Sequence, residues 1–422
     1  MHERADVVVI GAGPAGIATA CTAASARRVV LLDSAAGAGG QIWRHRTRAT
    51  LSRTARRWLS RLDGSGAEFR GGVSVTAVGR GMVAWTARGR HGVISAETIV
   101  LATGARERYL PYPGWTLPGV MGVGGLQACL KHGMSVRGLR IVLAGSGPLL
   151  LPVAASCAEA GAEVVCIVEQ ATVSQLVRFG AGLWRHPGKL MDAVQYRLQA
   201  FTAAFHAGSW VQRVTASPAG LVVDRAAHGD VERIRCDLLA TGFGLVPNTE
   251  LAQLAGCAVE QGRIRVNERQ ETSVAGILAA GETTGIAGAD AAIIEGQIAG
   301  GMAVGRAAAH DLPLARRASQ LRFAAALQRD FALRPEVLAL ATDDTVICRC
   351  EDVRRSAFGA TWDARHAKLM TRAGMGPCQG RVCGPAMEAL FGWESAIARP
   401  PAFPASVAAL CDHCATISQL EA

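Results

Sequence analysis

Apolar residues in this chain come in compact runs separated by glycine and charge. Val7–Ile10 is four branched aliphatics, the pattern of a strand buried on both faces. Gly11, Gly13 and Gly16 follow in the spacing G-x-G-x-x-G, and Ala15–Ala26 is small and apolar enough for a packed helix. Val29–Leu32 is a second buried run, ending at Asp33, 17 residues after Gly16. Thr47–Leu62 has helical spacing with many arginines, and predicts an exposed amphipathic helix. Phe69–Val78, Met82–Ala87 and Gly92–Ser95 read as short antiparallel strands with glycine turns. Thr98–Gly104, TIVLATG, is another buried strand. Leu139–Ala144, Leu149–Ala160 and Glu163–Val168 then repeat the strand–helix–strand order, ending at Glu169. Asp237–Gly242 (DLLATG) and Gly276–Gly281 (GILAAG) are two more strands, and Ala289–Ala303 is a helix behind the second. This alternation predicts an α/β fold with two Rossmann-like nucleotide units.

The first unit carries specific chemistry. In a dinucleotide fold Gly11 allows the tight turn, Gly13 admits a pyrophosphate to the backbone, and Gly16 lets the helix lie close on the sheet. Pro14 and Ala15 open that helix, whose free N–H groups face the phosphates. Asp33 stands where an acid meets a ribose hydroxyl. Because the strand lies at the start of the chain, FAD is the expected nucleotide. The loop GAGGQIW (Gly37–Trp43), with Gly40 and Gln41, would follow the FAD ribose toward the flavin. Thr103 and Gly104 end the strand that returns to this sheet. Gly281 and Glu282 resemble the flavoprotein Gly-Asp element, with glutamate in place of the commoner aspartate.

The second unit has Gly145, Gly147 and Glu169 in matching places, but Leu150 stands at the third glycine position. A leucine there should widen the helix–sheet contact. The motif leaves two alternatives open, a bound nucleotide or a fold kept for packing.

The expected domains are 1–115 and 246–322 for the two halves of the FAD domain, and 116–245 for an inserted nucleotide-type domain. A linker helix follows at 323–345, then a module at 346–400 and a tail at 401–422. Pro111–Pro118 is the proline-rich crossing into the insert.

Composition narrows the class. The 422 residues are 50% hydrophobic, yet hold no uninterrupted apolar run of the ~18 residues a membrane span needs. No basic segment precedes an apolar one at the start. The expectation is a cytoplasmic protein, or a peripheral one on the cytoplasmic face. Net charge is +10, carried almost entirely by arginine. The arginines are scattered apart from a run at Arg44–Arg61, and no recognition module accompanies them, so nucleic acid is not an expected partner.

Of 12 cysteines, six are isolated among apolar residues and six lie after residue 345. Cys348 and Cys350 form one close pair and Cys378 and Cys383 another, with 27 residues between the pairs. Four thiolates so spaced suit a [2Fe–2S] cluster. Zinc and unliganded thiols are the alternatives, though C-x-C is short for structural zinc. Gly374, Gly376 and Gly380 would let backbone N–H groups approach the sulfurs. Cys411 and Cys414 form a C-x-x-C with no second pair, which reads as part of a mobile tail.

ATGARERYLPYPGWTLPGV (Ala102–Val120), GSGPLLLPVA (Gly145–Ala154), AAGETTGIAGADAAIIEGQIAG (Ala279–Gly300), CRCEDV (Cys348–Val353) and TRAGMGPCQGRVC (Thr371–Cys383) together resemble one family. It is the FAD subunit of bacterial dye-linked amine dehydrogenases. Its members are the A-type subunit of opine oxidase, the B-type subunit of hydrogen cyanide synthase, and the alpha subunits of D-hydroxyproline and L-proline dehydrogenases. The resemblance implies a two-dinucleotide-domain flavoprotein with a C-terminal domain similar to bacterioferritin-associated ferredoxin. The partners it implies are an amino-acid-oxidase-type FAD subunit, a small ferredoxin-like subunit in some assemblies, and a quinone or other electron acceptor. It also implies, in some relatives, FMN at a subunit interface and ATP in the second nucleotide site, where NAD(P) is the alternative. The expected role is electron transfer from a C–N oxidation carried out in the partner. The rival reading is a self-contained NAD(P)H-dependent FAD oxidoreductase. No catalytic residue of this chain is assigned.

Overall fold

The computed structural model describes residues 2–45, 51–79, 81–227, 229–306, 312–394 and 398–411. The chain divides into two compact units. One comprises Met1–Arg106, Val246–Ala324 and Ile397–Ala422, the other Glu107–Leu245 and Ala325–Ala396. The first crossing therefore falls earlier than the proline-rich segment suggests, and the cysteine module groups with the inserted domain.

The first unit is built on the strand His2–Ile10, whose last four residues are almost wholly buried. Each such side chain contributes about 1.5–3 kcal/mol on leaving water. This strand lies parallel between Val29–Leu32 and Arg90–Leu101, and Glu68–Arg70 extends the sheet beyond Val29–Leu32. Arg90–Leu101 is one long strand where the sequence suggested two. Its first half pairs antiparallel with Met82–Ala87, which pairs in turn with Ser74–Gly79. Its second half pairs in parallel with Ile277–Ala279. The meander is thus an extension of the parallel sheet. The helices Pro14–Ala23 and Ala289–Ala303 pack together on one face. The arginine-rich helix runs Arg53–Asp63, capped by Ser52 and burying Trp58, Leu59 and Leu62. Residues 46–50 of that expectation lie outside the described residues.

The tail is not loose where it is described. Ala402 donates its N–H to Thr76 O at 2.7 Å and is buried with Phe403 against the meander. Cys411 is exposed, and Cys414 lies outside the described residues.

The second unit holds a five-stranded parallel sheet in the order Ala204–Ala207, Glu163–Glu169, Arg140–Gly145, Leu238–Gly242, Val120–Gly122. A separate antiparallel sheet comprises Ser209–Ser217, Gly220–Ala227 and Asp230–Cys236. The expected linker helix is displaced. A helix spans Leu314–Asp330 and a single turn spans Pro335–Leu338. Pro335 explains the break, since the residue before a proline is pushed out of the helical region, and Arg334 has ψ 147°. The cysteine module has its own small core of Ile347, Val353, Ala373 and Met387 around Cys348 and Cys383.

Candidate cofactor sites

Close backbone contacts shape the first glycine loop. Gly11 has φ +103°, and a Cβ there would lie 2.2 Å from the Ala102 oxygen. A Cβ on Gly16 would lie 1.8 Å from the Gly11 oxygen. These glycines let the helix begin at Pro14, directly after the turn, with Ala15 buried beneath it. Gly13 is different, because a Cβ there meets nothing within 4 Å. Protein packing does not fill that side, so a pyrophosphate fits against the helix N-terminus.

Asp33 braces the same loop. Its Oδ2 accepts from Ala12 N at 2.6 Å and its Oδ1 from Ala35 N at 2.7 Å. Each oxygen retains a lone pair for a ribose hydroxyl. Gly39 N donates to Ala12 O at 2.8 Å, and a Cβ on Gly40 would approach Gly13 Cα to 2.9 Å. The loop 37–43 therefore rests on the glycine turn, with Gln41 exposed beyond it.

Thr103 and Gly104 meet a segment the motif reading overlooks. The Thr103 hydroxyl donates to Asn248 O at 2.8 Å, and Asn248 Nδ2 donates back to Thr103 O at 2.9 Å. Asn248 N donates to Gly104 O at 2.9 Å, and Thr283 Oγ1 to Asn248 O at 2.7 Å. Thr103 thereby ties the strand end to the loop that carries Glu282.

Gly281 has φ +83° and packs on Ala15. Glu282 follows it, half-buried, with no side-chain hydrogen bond among the described residues. Burial pushes its carboxyl above the usual range. A desolvated carboxyl without a partner is costly, and a ribityl hydroxyl would satisfy it. FAD thus fits the first site on two observations, the open face of Gly13 and the unmet demand of Glu282.

Sequence reasoning also misses Glu295. It is 3% exposed, and its Oε2 accepts from Gly281 N at 2.9 Å and Thr284 Oγ1 at 3.0 Å. Its Oε1 accepts from Arg317 Nε at 3.1 Å. Burial raises its carboxyl pKa, and Arg317 opposes that rise. The available signal was an acid inside the otherwise apolar stretch ADAAIIEGQIAG.

The second loop is built differently. Leu150 is 2% exposed and packs with Val123, Leu126 and Val153. The helix Leu150–Glu159 begins five residues past Gly145, where the first helix begins three past Gly11. A leucine cannot make the approach that Gly16 makes, so the turn opens and the helix N-terminus retreats. Gly145 still sits tightly, since a Cβ there would lie 1.8 Å from Gly242 O. Glu169 is 2% exposed, accepting from Gly147 N and Ala171 N at 2.8 Å each. Burial pushes its carboxyl up to about 7.

Cys348 and Cys383 lie in the small core of one module, with Cys350 and Cys378 beside them in sequence. Cys348 and Cys383 are both buried beside Gly374, where a Cβ would lie 4.0 Å from Cys383 Sγ. Cys350 is exposed and Cys378 half-buried. Gly374 N donates to Cys348 Sγ at 3.5 Å. A Cβ on Gly376 would lie 2.3 Å from Cys350 Cβ, so only glycine admits that approach. Among the described residues, no group of three or more His, Cys, Asp or Glu has the arrangement of a metal site.

Residues 5–296 match the pyridine nucleotide-disulphide oxidoreductase family. The chain is 32% identical to the A-type subunit of opine oxidase from Rhizobium meliloti (strain 1021), covering 96% of this chain and 98% of that protein. It is 33% identical to the hydrogen cyanide synthase subunit HcnB of Pseudomonas aeruginosa, covering 89% of this chain and 90% of that one. Among solved structures, L-proline dehydrogenase from P. horikoshii aligns with TM-score 0.66 at 18% identity, covering 97% of this chain and 80% of that chain. T. acidophilum thioredoxin reductase aligns with TM-score 0.56 at 22% identity, covering 71% of this chain and 97% of that chain. With its two-dinucleotide-domain fold and its FAD-type first loop, the chain belongs to the pyridine nucleotide-disulphide oxidoreductase family, as an FAD-dependent oxidoreductase of the group that holds HcnB and the A-type opine oxidase subunits.

Proposed function

We propose that this chain is the electron-transfer subunit of a multi-subunit flavin-dependent dehydrogenase acting on an amine or amino acid of the opine, D-hydroxyproline, proline or glycine class. The observation that carries the reading is the packing of Gly374 beside Cys348 and Cys383 and of Gly376 against Cys350 in an FAD-type oxidoreductase. The four thiolates would hold a [2Fe–2S] cluster. Gly11, Gly13, Pro14, Ala15, Gly16, Asp33 and Glu282 would hold FAD, with Gly40, Gln41, Thr103, Gly104 and Gly281 shaping its site. FAD takes up electrons in twos and releases them singly, which suits a cluster as the next carrier.

In this reading an amino-acid-oxidase-type companion oxidises the C–N bond. The two electrons pass through this chain to a quinone or other acceptor. Two features support a companion. The similar proteins are named as subunits. Trp184, Met191, Val194, Leu198 and Phe201 also expose an apolar stripe along and beside the helix Pro187–Gln199, none of whose residues is buried. Exposed apolar surface of this kind marks sites that other chains cover. A small ferredoxin-like subunit, and FMN at a subunit interface, belong to the same proposal. So does a cytoplasmic or membrane-peripheral location. Among the described residues no helix is long and apolar enough to cross a membrane.

The test is anaerobic stopped flow on the FAD-loaded chain. Proline, hydroxyproline and opines should bleach the flavin slowly or not at all in the isolated chain. They should bleach flavin and cluster when the companion is added. Amine-dependent bleaching of the chain alone would overturn the division of labour.

A further inference from the structure

The second dinucleotide loop grips a segment of its own chain. Ser146 Oγ donates to Phe331 O at 2.9 Å. Gln170, the residue after the ribose-type acid, is 1% exposed. Its Nε2 donates to Ser146 Oγ at 2.8 Å and to Ala332 O at 3.0 Å, and its Oε1 accepts from Arg334 N at 3.0 Å. The flanks are fastened too. Asp330 is fully buried and accepts from Arg178 Nε at 2.7 Å, while the Phe331 ring meets Phe179 edge-on with centroids 5.0 Å apart. The Arg334 guanidinium lies 5.1 Å from the centroid of the Trp210 ring.

These groups are the ones a nicotinamide dinucleotide would need. Glu169 is closed off from solvent, whereas its counterpart Asp33 is only half-buried. The second loop residue and the residue after the acid are both bonded to residues 331–334. The third glycine is lost to Leu150. Gly147 faces open space as Gly13 does in the first loop, so the two loops differ at Leu150, Ser146, Glu169 and Gln170 instead. NAD(P)H, which the family description implies, does not fit this second site.

The segment instead leads straight into the cysteine module, which is fastened to the same unit by Trp115 Nε1 donating to Val346 O at 2.7 Å. We propose that the second dinucleotide loop is the docking site for the chain's own segment Phe331–Arg334, and holds the cysteine module on this domain in place of NAD(P)H. Ser146 and Gln170 thereby anchor the cysteine-bearing end of the chain, which on the reading proposed above is its electron-transfer end.

Hydrogen–deuterium exchange on the full FAD-loaded chain tests this, with Gln170→Ala and, separately, the milder Ser146→Ala. Each variant removes two or more of the clasp bonds. Exchange of amides in 331–350 should accelerate by on the order of ten-fold, while amides of the strand His2–Ile10 stay unchanged. Unchanged exchange in 331–350 for both variants would overturn the clasp. In parallel, calorimetric titration with NADH and NADPH should show no saturable binding to the wild type. Stoichiometric binding of either would overturn the claim that the segment replaces the dinucleotide.

Discussion

Gly296 lies so close on Ala15 that a Cβ at Gly296 would stand 2.2 Å from the Ala15 carbonyl oxygen. The Thr19 hydroxyl donates to Gly296 O at 3.0 Å across the same contact, and Gly300 repeats the approach one turn later against Thr19. The two helices that carry the FAD-type loops are thus seated backbone to backbone. Forcing a side chain between them costs about 1–3 kcal/mol or more. Gly296→Val should lower the urea midpoint and weaken FAD retention together, because Ala15 belongs to the phosphate loop. Retention of full stability in denaturant titration would contradict this packing.

Gly13→Val separates binding from folding. The added side chain meets open space in the protein, so thermal unfolding of the flavin-free forms should match wild type. FAD should be lost on desalting, because the valine occupies the pyrophosphate position. Normal flavin content by absorbance would remove the first loop from the FAD site.

Asp33→Ala takes away both acceptors that fix Ala12 N and Ala35 N. Bonds to a charged acceptor are worth about 1.5–3 kcal/mol each. The variant should bind FAD at least ten-fold more weakly in fluorescence titration. Asp33→Asn keeps one acceptor and should fall between.

Glu169 gives a pH signature. Its carboxyl titrates near 4.5 unperturbed, and burial lifts it to about 7 in the folded chain. Between these values the folded state binds the extra proton. The stabilisation is therefore complete below about pH 4.5 and lost as pH rises through about 7. The span corresponds to about 3 kcal/mol at most. Urea midpoints of wild type and Glu169→Gln at pH 5 and pH 8 should show a larger loss with pH for wild type. Equal losses would show that Glu169 is not held neutral.

Cys378→Ser should abolish iron and acid-labile sulfide, expected at two each per chain for a [2Fe–2S] centre, while FAD stays bound. One zinc and no sulfide in the wild type, by elemental analysis, would replace the cluster with a structural metal.

The sequence by itself determined the parallel sheet around Val7–Ile10, the glycine turn at Gly11–Gly16 and the helix Ala289–Ala303. These are local signals, in which run length and glycine spacing each report the structure that contains them. It also flagged Leu150 as a departure. Only the tertiary structure decided what that departure means. Gln170 and Ser146 carry no motif, and their partners Phe331, Ala332 and Arg334 lie some 160 residues or more along the chain. Glu295 and Asn248 likewise acquire their roles only when Gly281 and Thr103 are brought beside them. Hydrogen bonds between distant segments depend on which strand ends the fold juxtaposes, and no periodicity along the chain encodes that.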